Sequence, residues 1–291
     1  MKNHNSEIMK GKICMITGAN SGIGKATAIG LAKMGATIVM VCRNENRGKK
    51  ALEDIKKECN NGNFDLMMVD LSSQKAIYRL IKIFKEKYQQ LHVLINNAGV
   101  NLSKRVLTED GIETTFAVNY LAPFLLSTLL LDILQTSSPS RIVNVVSSVV
   151  GKTINFENLN GENHYRQLNA YAQSKLALIL FTYEFARRIE GTGVTVNSLH
   201  PGYVKTNMVK NFRKFVKYFF HLIGLFMKSP KKGAKTSIYL ASSPEVEGVS
   251  GKYFEKKKEE ESVKASYDEE LAKRLWNVSV DLTNHKLNKK Y

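Results

Sequence analysis

Short apolar runs alternate with longer segments of mixed polarity along most of the chain. The runs have the length of strands and are rich in β-branched residues, whereas the segments between them place apolar residues at helical spacing. Six runs are clear and a short seventh lies near the end: KICMITG, TIVMVCR, FDLMMVDL, LHVLINNAG, RIVNVVSS, VTVNSLHPG and GKYF. Strands that are apolar on both faces and joined by helices indicate a parallel sheet with both faces covered.

The pattern therefore predicts one α/β domain of the Rossmann type, a doubly wound parallel sheet of about seven strands with helices on both faces. Helices are predicted at the following places: Gly22 to Met34, Glu45 to Glu58, Ser73 to Tyr88, a long helix through Asn119, Tyr171 to Ile189, and Asp268 to Leu282. The KKKEEE run from Lys256 to Glu261 is predicted to be a solvated loop.

Composition narrows the class of protein. With 291 residues, 43% of them hydrophobic and 24% charged, the chain can bury the core of one domain and is not disordered throughout. The three cysteines, Cys14, Cys42 and Cys59, show neither metal nor disulfide spacing, which suits a reducing compartment. We recognise no signal peptide and no apolar run of the ~20 residues that span a bilayer. We therefore expect an intracellular protein, cytoplasmic or peripherally membrane-associated, and not a secreted one.

The net charge of +17 allows an anionic partner of three kinds: nucleic acid, an anionic membrane surface or an anionic cofactor. Many of the lysines are scattered along the predicted helices, and we recognise no basic run with stacking aromatic residues of the kind that binds single-stranded nucleic acid. We therefore expect no specific nucleic-acid partner. The six histidines form no ligand cluster, so no metal site is predicted, and His200 is expected to be a buried packing residue.

TGANSGIG follows the first predicted strand and opens a helix. Its glycines allow a tight turn and a close approach of the backbone to a pyrophosphate, and the helix start supplies free N–H groups. We expect these residues to bind the phosphates: Gly18, Asn20, Ser21, Gly22, Ile23, Gly24 and Lys25. The spacing differs from G-x-G-x-x-G, and the alternative is a glycine-rich turn that only packs helix on strand.

The end of the second strand indicates which dinucleotide binds. An NAD site usually has a carboxylate there for the ribose hydroxyls, but this chain has Arg43 and Asn44. A guanidinium can bind a 2′-phosphate through two hydrogen bonds, and Lys25 adds positive charge nearby. Glu45 is expected to begin the next helix. The sequence therefore predicts NADP(H) in preference to NAD(H), unless Arg43 is merely an exposed cation.

Tyr171 and Lys175 stand in YAQSK, at a spacing that puts both side chains on one face of a helix. The ordinary pKa of tyrosine, near ~10, is too high for ready proton exchange at neutral pH. A nearby ammonium favours the phenolate and lowers that pKa. Tyr171 can then act as general acid in a reduction and general base in an oxidation. Taken alone, Y-x-x-x-K is common on helix surfaces and carries no such function.

The order of the motifs resembles the short-chain dehydrogenase/reductase family: TGANSGIG, NNAG, Asn119, the serines after RIVNV, YAQSK and HPGYVKT. Further segments resemble the retinol dehydrogenase branch, particularly its retinol dehydrogenase 14-like members: LAPFLLS, SKLALILFTYEFARRI, TSIYLASSPEVEGVSGKYF and RLWNVS. The resemblance implies a short extension over 1–9 and a cofactor-binding and catalytic domain over 10–255. Residues 207–230 would be its substrate lid, and 256–291 a charged loop and C-terminal helix.

The resemblance also implies the roles of individual residues. Tyr171 would exchange a proton with the substrate oxygen, Lys175 would bind the nicotinamide ribose, and Asn119 would help to hold a proton-relay water. A serine after the fifth strand would hydrogen-bond the substrate oxygen. The remaining cofactor contacts would come from Asp70 and Leu71 at the adenine, from Asn97, Ala98 and Gly99 under the ribose, and from Pro201, Gly202, Val204 and Thr206 at the nicotinamide.

Two serines compete for the catalytic position, because the chain reads NVVSS where the family usually reads N-h-S-S. Counting forward from Asn144 selects Ser147, whereas counting back from Gly151 selects Ser148. An extra residue is tolerated more easily in a loop than in a buried strand, so Ser147 is preferred.

The segment from Met208 to Lys228 is aromatic and basic. It suits a lid over a long or bulky apolar substrate, an interfacial helix on anionic lipid, or a lid packed on its own core or a subunit partner. We expect an apolar carbonyl or alcohol substrate, such as retinal, retinol or a lipid aldehyde. Peripheral membrane contact through 208–228 and a homodimer are both compatible with the pattern. The competing function is an NADP-binding regulator or membrane-surface binder with little turnover.

Overall fold

The computed structural model describes residues 7–59, 62–204 and 228–283. Its eight strands are β1 (Ile13–Thr17), β2 (Thr37–Cys42), β3 (Phe64–Met68), β4 (Val93–Asn96), β5 (Ser140–Val145), β6 (Val194–His200), β7 (Tyr253–Glu255) and β8 (Lys258–Glu259). They form one sheet in the order β3-β2-β1-β4-β5-β6-β7-β8, and every neighbouring pair is parallel except β7 and β8. The predicted doubly wound α/β fold is confirmed.

The helices cover both faces of the sheet. They are α1 (Gly22–Ala32), α2 (Glu45–Glu58), α3 (Gln74–Lys87), α4 (Thr114–Phe116), α5 (Ala122–Leu129), α6 (Leu131–Thr136), α7 (Gln167–Arg188), α8 (Pro230–Gly233), α9 (Lys235–Ser242) and α10 (Glu269–Thr283). Local signals set several starts: the side chains of Asn44 and Ser73 cap α2 and α3.

A separate apolar core lies on each face of the sheet. On one face the strands pack against α3, α5, α7 and α10, and ring stacking of Phe181 on Trp276 ties the C-terminal helix to α7. On the other face they pack against α1, α2 and α9. Cys14 and Cys42 are buried in their strands, as predicted.

Two sequence predictions about secondary structure are corrected. The run from Lys256 to Glu261 is not only a loop, because Glu255 pairs with Lys258 and β8 becomes an eighth strand. Lys256 and Lys257 turn the hairpin with φ of 49° and 68°, the conformation that a two-residue turn requires. The long helix through Asn119 is interrupted, since a π-helical segment (Ala117–Leu121) separates α4 from α5.

Candidate active site

The predicted site residues lie at one edge of the sheet, beyond the carboxyl ends of its strands. The strand order reverses between β1 and β4, which opens a crevice at that edge. Gly18 follows β1, Asn97 follows β4, Ser147 lies beyond β5, and Pro201 follows β6. The fold therefore brings the predicted phosphate loop and the predicted catalytic residues to the same edge.

The loop between β1 and α1 needs its glycines. Gly18 and Gly22 have φ of 66° and 56°, a region that favours glycine. A Cβ on Gly24 would lie 2.5 Å from both the Gly18 carbonyl oxygen and the Asn97 side-chain nitrogen. Helix α1 has neither a side-chain cap at Ser21 nor an acidic residue in its first turn, so its first N–H groups suit an anion. A dinucleotide pyrophosphate fits this cradle.

Thr17 and Asn97 hold the loop in place. The Thr17 hydroxyl accepts hydrogen bonds from the backbone N–H groups of Asn97 (2.9 Å) and Ala98 (3.0 Å). The Asn97 side-chain amide donates to the Thr17 carbonyl at 2.8 Å. Sequence reasoning did not single out Thr17; its signal is a hydroxyl at the end of an otherwise apolar, buried strand.

The polar side chains at and near the end of β2 differ in how accessible they are to a ligand. Arg43 is 65% exposed, and its Nη1 lies 4.0 Å from the Asp70 carboxylate. Asn44 uses its side-chain oxygen to cap α2, 3.0 Å from the Arg47 N–H, so that α2 begins at Glu45 as predicted. Lys25 is paired with Asp54 at 2.7 Å. Arg43 is therefore the more accessible of the two predicted cations.

Asp70 and Leu71, which were expected at the adenine, follow β3. The Asp70 carboxylate accepts hydrogen bonds from the Ser72 backbone N–H at 2.9 Å and the Ser72 hydroxyl at 2.7 Å, which fixes the turn into α3. Leu71 is buried in the core of that face.

Tyr171 and Lys175 lie on one side of α7 and are both buried, with 9% and 3% exposure. The Ser147 hydroxyl hydrogen-bonds the Tyr171 phenol and accepts a second bond from the Val149 N–H at 3.0 Å. Ser148 is exposed. The geometry therefore favours Ser147 over Ser148 as the partner of Tyr171.

The electrostatics of this group correct one prediction. Burial raises the pKa of Tyr171, although the hydrogen bond from Ser147 acts in the opposite direction. Burial also lowers the pKa of Lys175 to about 8. The net shift of the Tyr171 pKa is therefore upward, opposite to the predicted direction, because burial outweighs the effects that lower it. Lys175 Nζ donates to the Val145 carbonyl at 3.0 Å and lies 5.7 Å from the centre of the tyrosine ring.

Asn119 lies in the π-helical segment and is fully buried. Its side-chain oxygen accepts from the Val100 N–H at 2.7 Å, and its amide nitrogen donates to the Val100 carbonyl at 2.9 Å and to Ser174 Oγ at 3.0 Å. The side chain thus fastens the start of the loop after β4 to α7, between Tyr171 and Lys175 in sequence.

A network of buried polar side chains runs beneath the site. The sequence analysis did not identify it. The Asn96 amide donates to Asn144 Oδ1 at 2.8 Å and to Ser127 Oγ at 3.2 Å, and the Asn144 amide donates to Thr182 at 2.9 Å. These bonds connect β4 and β5 to α5 and α7. An asparagine within an apolar strand is the signal that could have found them.

Beyond β6, His200 is 5% exposed, and burial lowers its pKa, which agrees with the prediction of a buried histidine. Gly202 has φ of 83°, and Val204 is buried. Thr206, Met208 and most of the predicted lid fall within 205–227, outside the described residues.

Among the described residues, no helix combines the length and the apolar character that a membrane span requires. The same residues contain no group of three or more histidine, cysteine, aspartate or glutamate side chains arranged to hold a metal ion.

A crevice of this kind suits proton exchange beside a bound dinucleotide, which places the chain among the dinucleotide-dependent oxidoreductases. Residues 12–217 match the family model described as short chain dehydrogenase, and the chain belongs to the short-chain dehydrogenase/reductase family. It is an enzyme of that family related to the retinol dehydrogenases, which act on CH–OH donors, and the family uses NAD or NADP.

Two relatives give the scale of the similarity. Retinol dehydrogenase 14 of Homo sapiens is 46% identical over 290 residues, covering 94% of this chain and 86% of that protein. Retinol dehydrogenase 13 of Homo sapiens is 42% identical over 279 residues, covering 94% and 84%. The resemblance to the retinol dehydrogenase branch is confirmed.

Solved structures share the fold. An uncharacterized protein from Mycobacterium paratuberculosis matches with a TM-score of 0.78 at 29% identity, covering 98% of this chain and 97% of that one. A proposed NAD(P)-dependent gluconate 5-dehydrogenase from Beutenbergia cavernae, solved with NADP at low occupancy, matches with a TM-score of 0.68 at 25% identity. That match covers 84% of this chain and 95% of the other.

Proposed function

We propose that this protein is an NADP-dependent oxidoreductase that interconverts an apolar carbonyl compound and its alcohol, with Tyr171 as the proton donor or acceptor. The observation that carries the proposal is the convergence of Tyr171, Ser147 and Lys175 at the crevice that also holds the glycine-rich loop. Each group has a chemical task that the overall reaction requires.

When bound, the nicotinamide supplies or accepts the hydride. In the reducing direction, the Tyr171 phenol gives its proton to the carbonyl oxygen, and the Ser147 hydroxyl hydrogen-bonds the same oxygen as negative charge develops on it. The phenol is protonated at neutral pH, as a general acid must be, and burial raises its pKa further. The proton still moves to the substrate, because the alkoxide oxygen left by hydride transfer is a stronger base than a phenolate. In the oxidising direction, the same phenol has to lose its proton before it can take one from the alcohol.

Lys175 and Asn119 complete this arrangement. Lys175 is buried beside Tyr171. It would donate to the nicotinamide ribose, and its positive charge would favour the phenolate during oxidation. Asn119 fixes the Val100 backbone and Ser174 around the tyrosine and would help to hold the water through which a proton is relayed.

Selection of NADP over NAD rests on Arg43. Its guanidinium is exposed at the end of β2, and its neighbour Asp70 lies at 4.0 Å, beyond a close ion pair. An exposed pair of this kind contributes little, so the guanidinium can turn to a 2′-phosphate at small cost.

An apolar substrate, retinal-like or a lipid aldehyde, is supported by two observations. The relatives of this chain are named retinol dehydrogenases. In addition, Val149, Leu168 and Tyr203 are exposed apolar side chains (42%, 52% and 62%) in segments next to Ser147, Tyr171 and Pro201. Exposed apolar side chains in the segments that flank these residues suit a long apolar molecule. Contact of segment 208–228 with a membrane and a homodimer both stay predictions.

An activity screen tests the proposal. Purified protein is mixed with NADPH or with NADH, and loss of the reduced cofactor is followed with all-trans-retinal, medium-chain aldehydes and steroid ketones. We expect turnover of an apolar aldehyde with NADPH and much weaker turnover with NADH. Normal NADPH binding without reduction of any of these compounds would point to the competing function, a cofactor-binding regulator.

A further inference from the structure

Glu113 is a charged side chain that is only 1% exposed. It precedes α4, where Oε1 accepts from the Thr115 N–H at 2.9 Å and Oε2 accepts from the Phe116 N–H at 2.8 Å. In the described part of the chain, no lysine or arginine forms an ion pair with it. The buried carboxyl group is therefore held by two backbone N–H groups at the start of a helix, and loss of either bond would leave a buried polar group without its partner.

The same residue joins two loops. The Tyr165 hydroxyl lies 3.4 Å from Glu113 Oε1 and donates to the Leu102 carbonyl at 2.8 Å. The Glu113 backbone N–H donates to Asn160 Oδ1 at 3.0 Å, and Arg105 donates to the Asn160 carbonyl at 2.6 Å. The loop after β4 (100–113) is thus fastened to the segment between β5 and α7 (146–166).

Both loops carry residues of the proposed active site. The first begins at Val100, whose backbone is held by Asn119, and ends at Glu113. The second contains Ser147 and ends just before the helix that carries Tyr171. Helix α4, which Glu113 caps, leads directly into the π-helical segment that contains Asn119.

We propose that Glu113 is a positioning residue, which sets Asn119 through the helix cap and sets Ser147 relative to Tyr171 through the Tyr165 and Asn160 contacts. It does not touch the reacting atoms itself. The effect on catalysis rests on the proposed function, whereas the effect on backbone order does not.

The first test is Glu113→Gln, which keeps the shape but replaces one of the two acceptors by an amide nitrogen. The matched control is Asp268→Asn, a similar loss of charge at the start of α10, where Asp268 Oδ1 accepts from the Leu271 N–H at 2.9 Å. With NADPH and all-trans-retinal, we expect kcat of Glu113→Gln to fall about tenfold, since small misplacements of positioned groups cost rate. The Kd for NADPH should be unchanged, and Asp268→Asn should keep the wild-type kcat.

Two further variants separate the effect of the helix cap from the effect of the Tyr165 contact. Glu113→Asp keeps a carboxylate that can cap α4 but is too short to reach Tyr165. Tyr165→Phe removes the hydroxyl and leaves the cap intact. We expect both to lose less kcat than Glu113→Gln, because each keeps the cap of α4. Tyr165→Phe should lose at least as much as Glu113→Asp, since it also removes the hydrogen bond to the Leu102 carbonyl. If Glu113→Asp were as slow as Glu113→Gln, the helix cap and the Tyr165 contact would not make separate contributions to kcat, and this part of the proposal would be contradicted.

Hydrogen exchange measured by mass spectrometry provides a readout that does not depend on turnover. In Glu113→Gln, we expect faster exchange over residues 114–121 and at Val100; in Asp268→Asn, faster exchange only at the start of α10. Wild-type exchange over 114–121 in Glu113→Gln would overturn the proposal. So would a kcat loss of equal size in Asp268→Asn. If the wild type reduces no aldehyde, the proposed function fails, and the exchange result alone decides whether Glu113 positions Asn119.

Discussion

Lys175 directs its ammonium to the Val145 carbonyl, 3.0 Å away, and lies 5.7 Å from the centre of the Tyr171 ring. The two side chains are neighbours on α7, yet the lysine hydrogen-bonds the end of β5 and not the phenol. Burial therefore governs both groups: it raises the pKa of Tyr171 and lowers that of Lys175 to about 8. The tyrosine is thus kept protonated, and the lysine ammonium is held at an energetic cost.

That cost predicts how stability depends on pH. The folded-state pKa of Lys175, about 8, lies below its ordinary value of 10.5. Between these values the unfolded chain binds more protons than the folded one, so the contribution of Lys175 to stability rises with pH. The penalty is full below pH 8 and is relieved towards pH 10.5. Its size is on the order of 3 kcal/mol, since a tenfold change in proton affinity is worth about 1.4 kcal/mol.

Denaturant unfolding of the wild type and of Lys175→Met measures this effect. The contributions of groups that titrate in both proteins cancel when the two free energies of unfolding are subtracted. We expect the wild type to gain stability relative to Lys175→Met as the pH is raised from 7 to about 10. A difference that does not change over this range would show that the ammonium is not destabilised by burial.

The two adjacent serines provide a matched pair of variants. Ser147 hydrogen-bonds Tyr171, whereas Ser148 is exposed. Removing a donor to the developing oxyanion costs about 10²–10³-fold in kcat, so we expect that loss for Ser147→Ala and near wild-type kcat for Ser148→Ala. Steady-state kinetics with NADPH measure kcat of both variants. A larger loss of kcat in Ser148→Ala than in Ser147→Ala would show that Ser148 is the donor to the oxyanion.

Arg43 should determine which cofactor is preferred. Loss of a hydrogen-bonded charge from a phosphate costs about 1.5–3 kcal/mol, so Arg43→Gln should raise the KM for NADPH by about tenfold or more and change the KM for NADH little. Arg79→Gln, on the exposed side of α3, is the control for loss of a surface guanidinium. An equal rise in the KM for NADPH and for NADH would show that Arg43 does not bind the 2′-phosphate.

Gly24 and Gly30 lie on the same helix but meet different neighbours. A Cβ on Gly24 would lie 2.5 Å from the backbone oxygen of Gly18, which cannot move away cheaply, whereas on Gly30 it would meet the flexible end of Ile238. We expect Gly24→Ala to cost about 1–3 kcal/mol of stability and to weaken NADPH binding. Gly30→Ala should keep normal NADPH binding. Fluorescence titration and thermal unfolding measure both effects, and normal NADPH binding by Gly24→Ala would show that the loop tolerates the added methyl.

The sequence predicted the fold because its signals are local and repeated. Strands that are apolar on both faces and glycines such as Gly18 act through neighbouring residues. Their positions therefore follow from the chain alone. The preference for Ser147 over Ser148 came from a similar argument about where an extra residue fits, and the structure favours the same serine.

The features that the sequence did not predict depend on contacts between distant parts of the chain. Nothing near Asn119 signals a π-helical turn, because its bonds are to Val100 and Ser174. Glu113 reads as an ordinary helix start until Asn160 and Tyr165 are found against it. The predicted direction of the Tyr171 pKa shift was wrong because the i, i+4 spacing puts Lys175 on the same face but does not say how deeply the phenol is buried.

The central claim, that Tyr171 transfers the proton, is tested by stopped-flow decay of NADPH mixed with all-trans-retinal. Tyr171→Phe is compared with Tyr183→Phe, which removes another buried hydroxyl from α7, one that pairs with Ser262 at 2.7 Å. We predict that Tyr171→Phe binds NADPH normally and oxidises it about 10²–10⁴-fold more slowly, while Tyr183→Phe keeps the wild-type rate. A Tyr171→Phe variant that oxidises NADPH at the wild-type rate would contradict the claim.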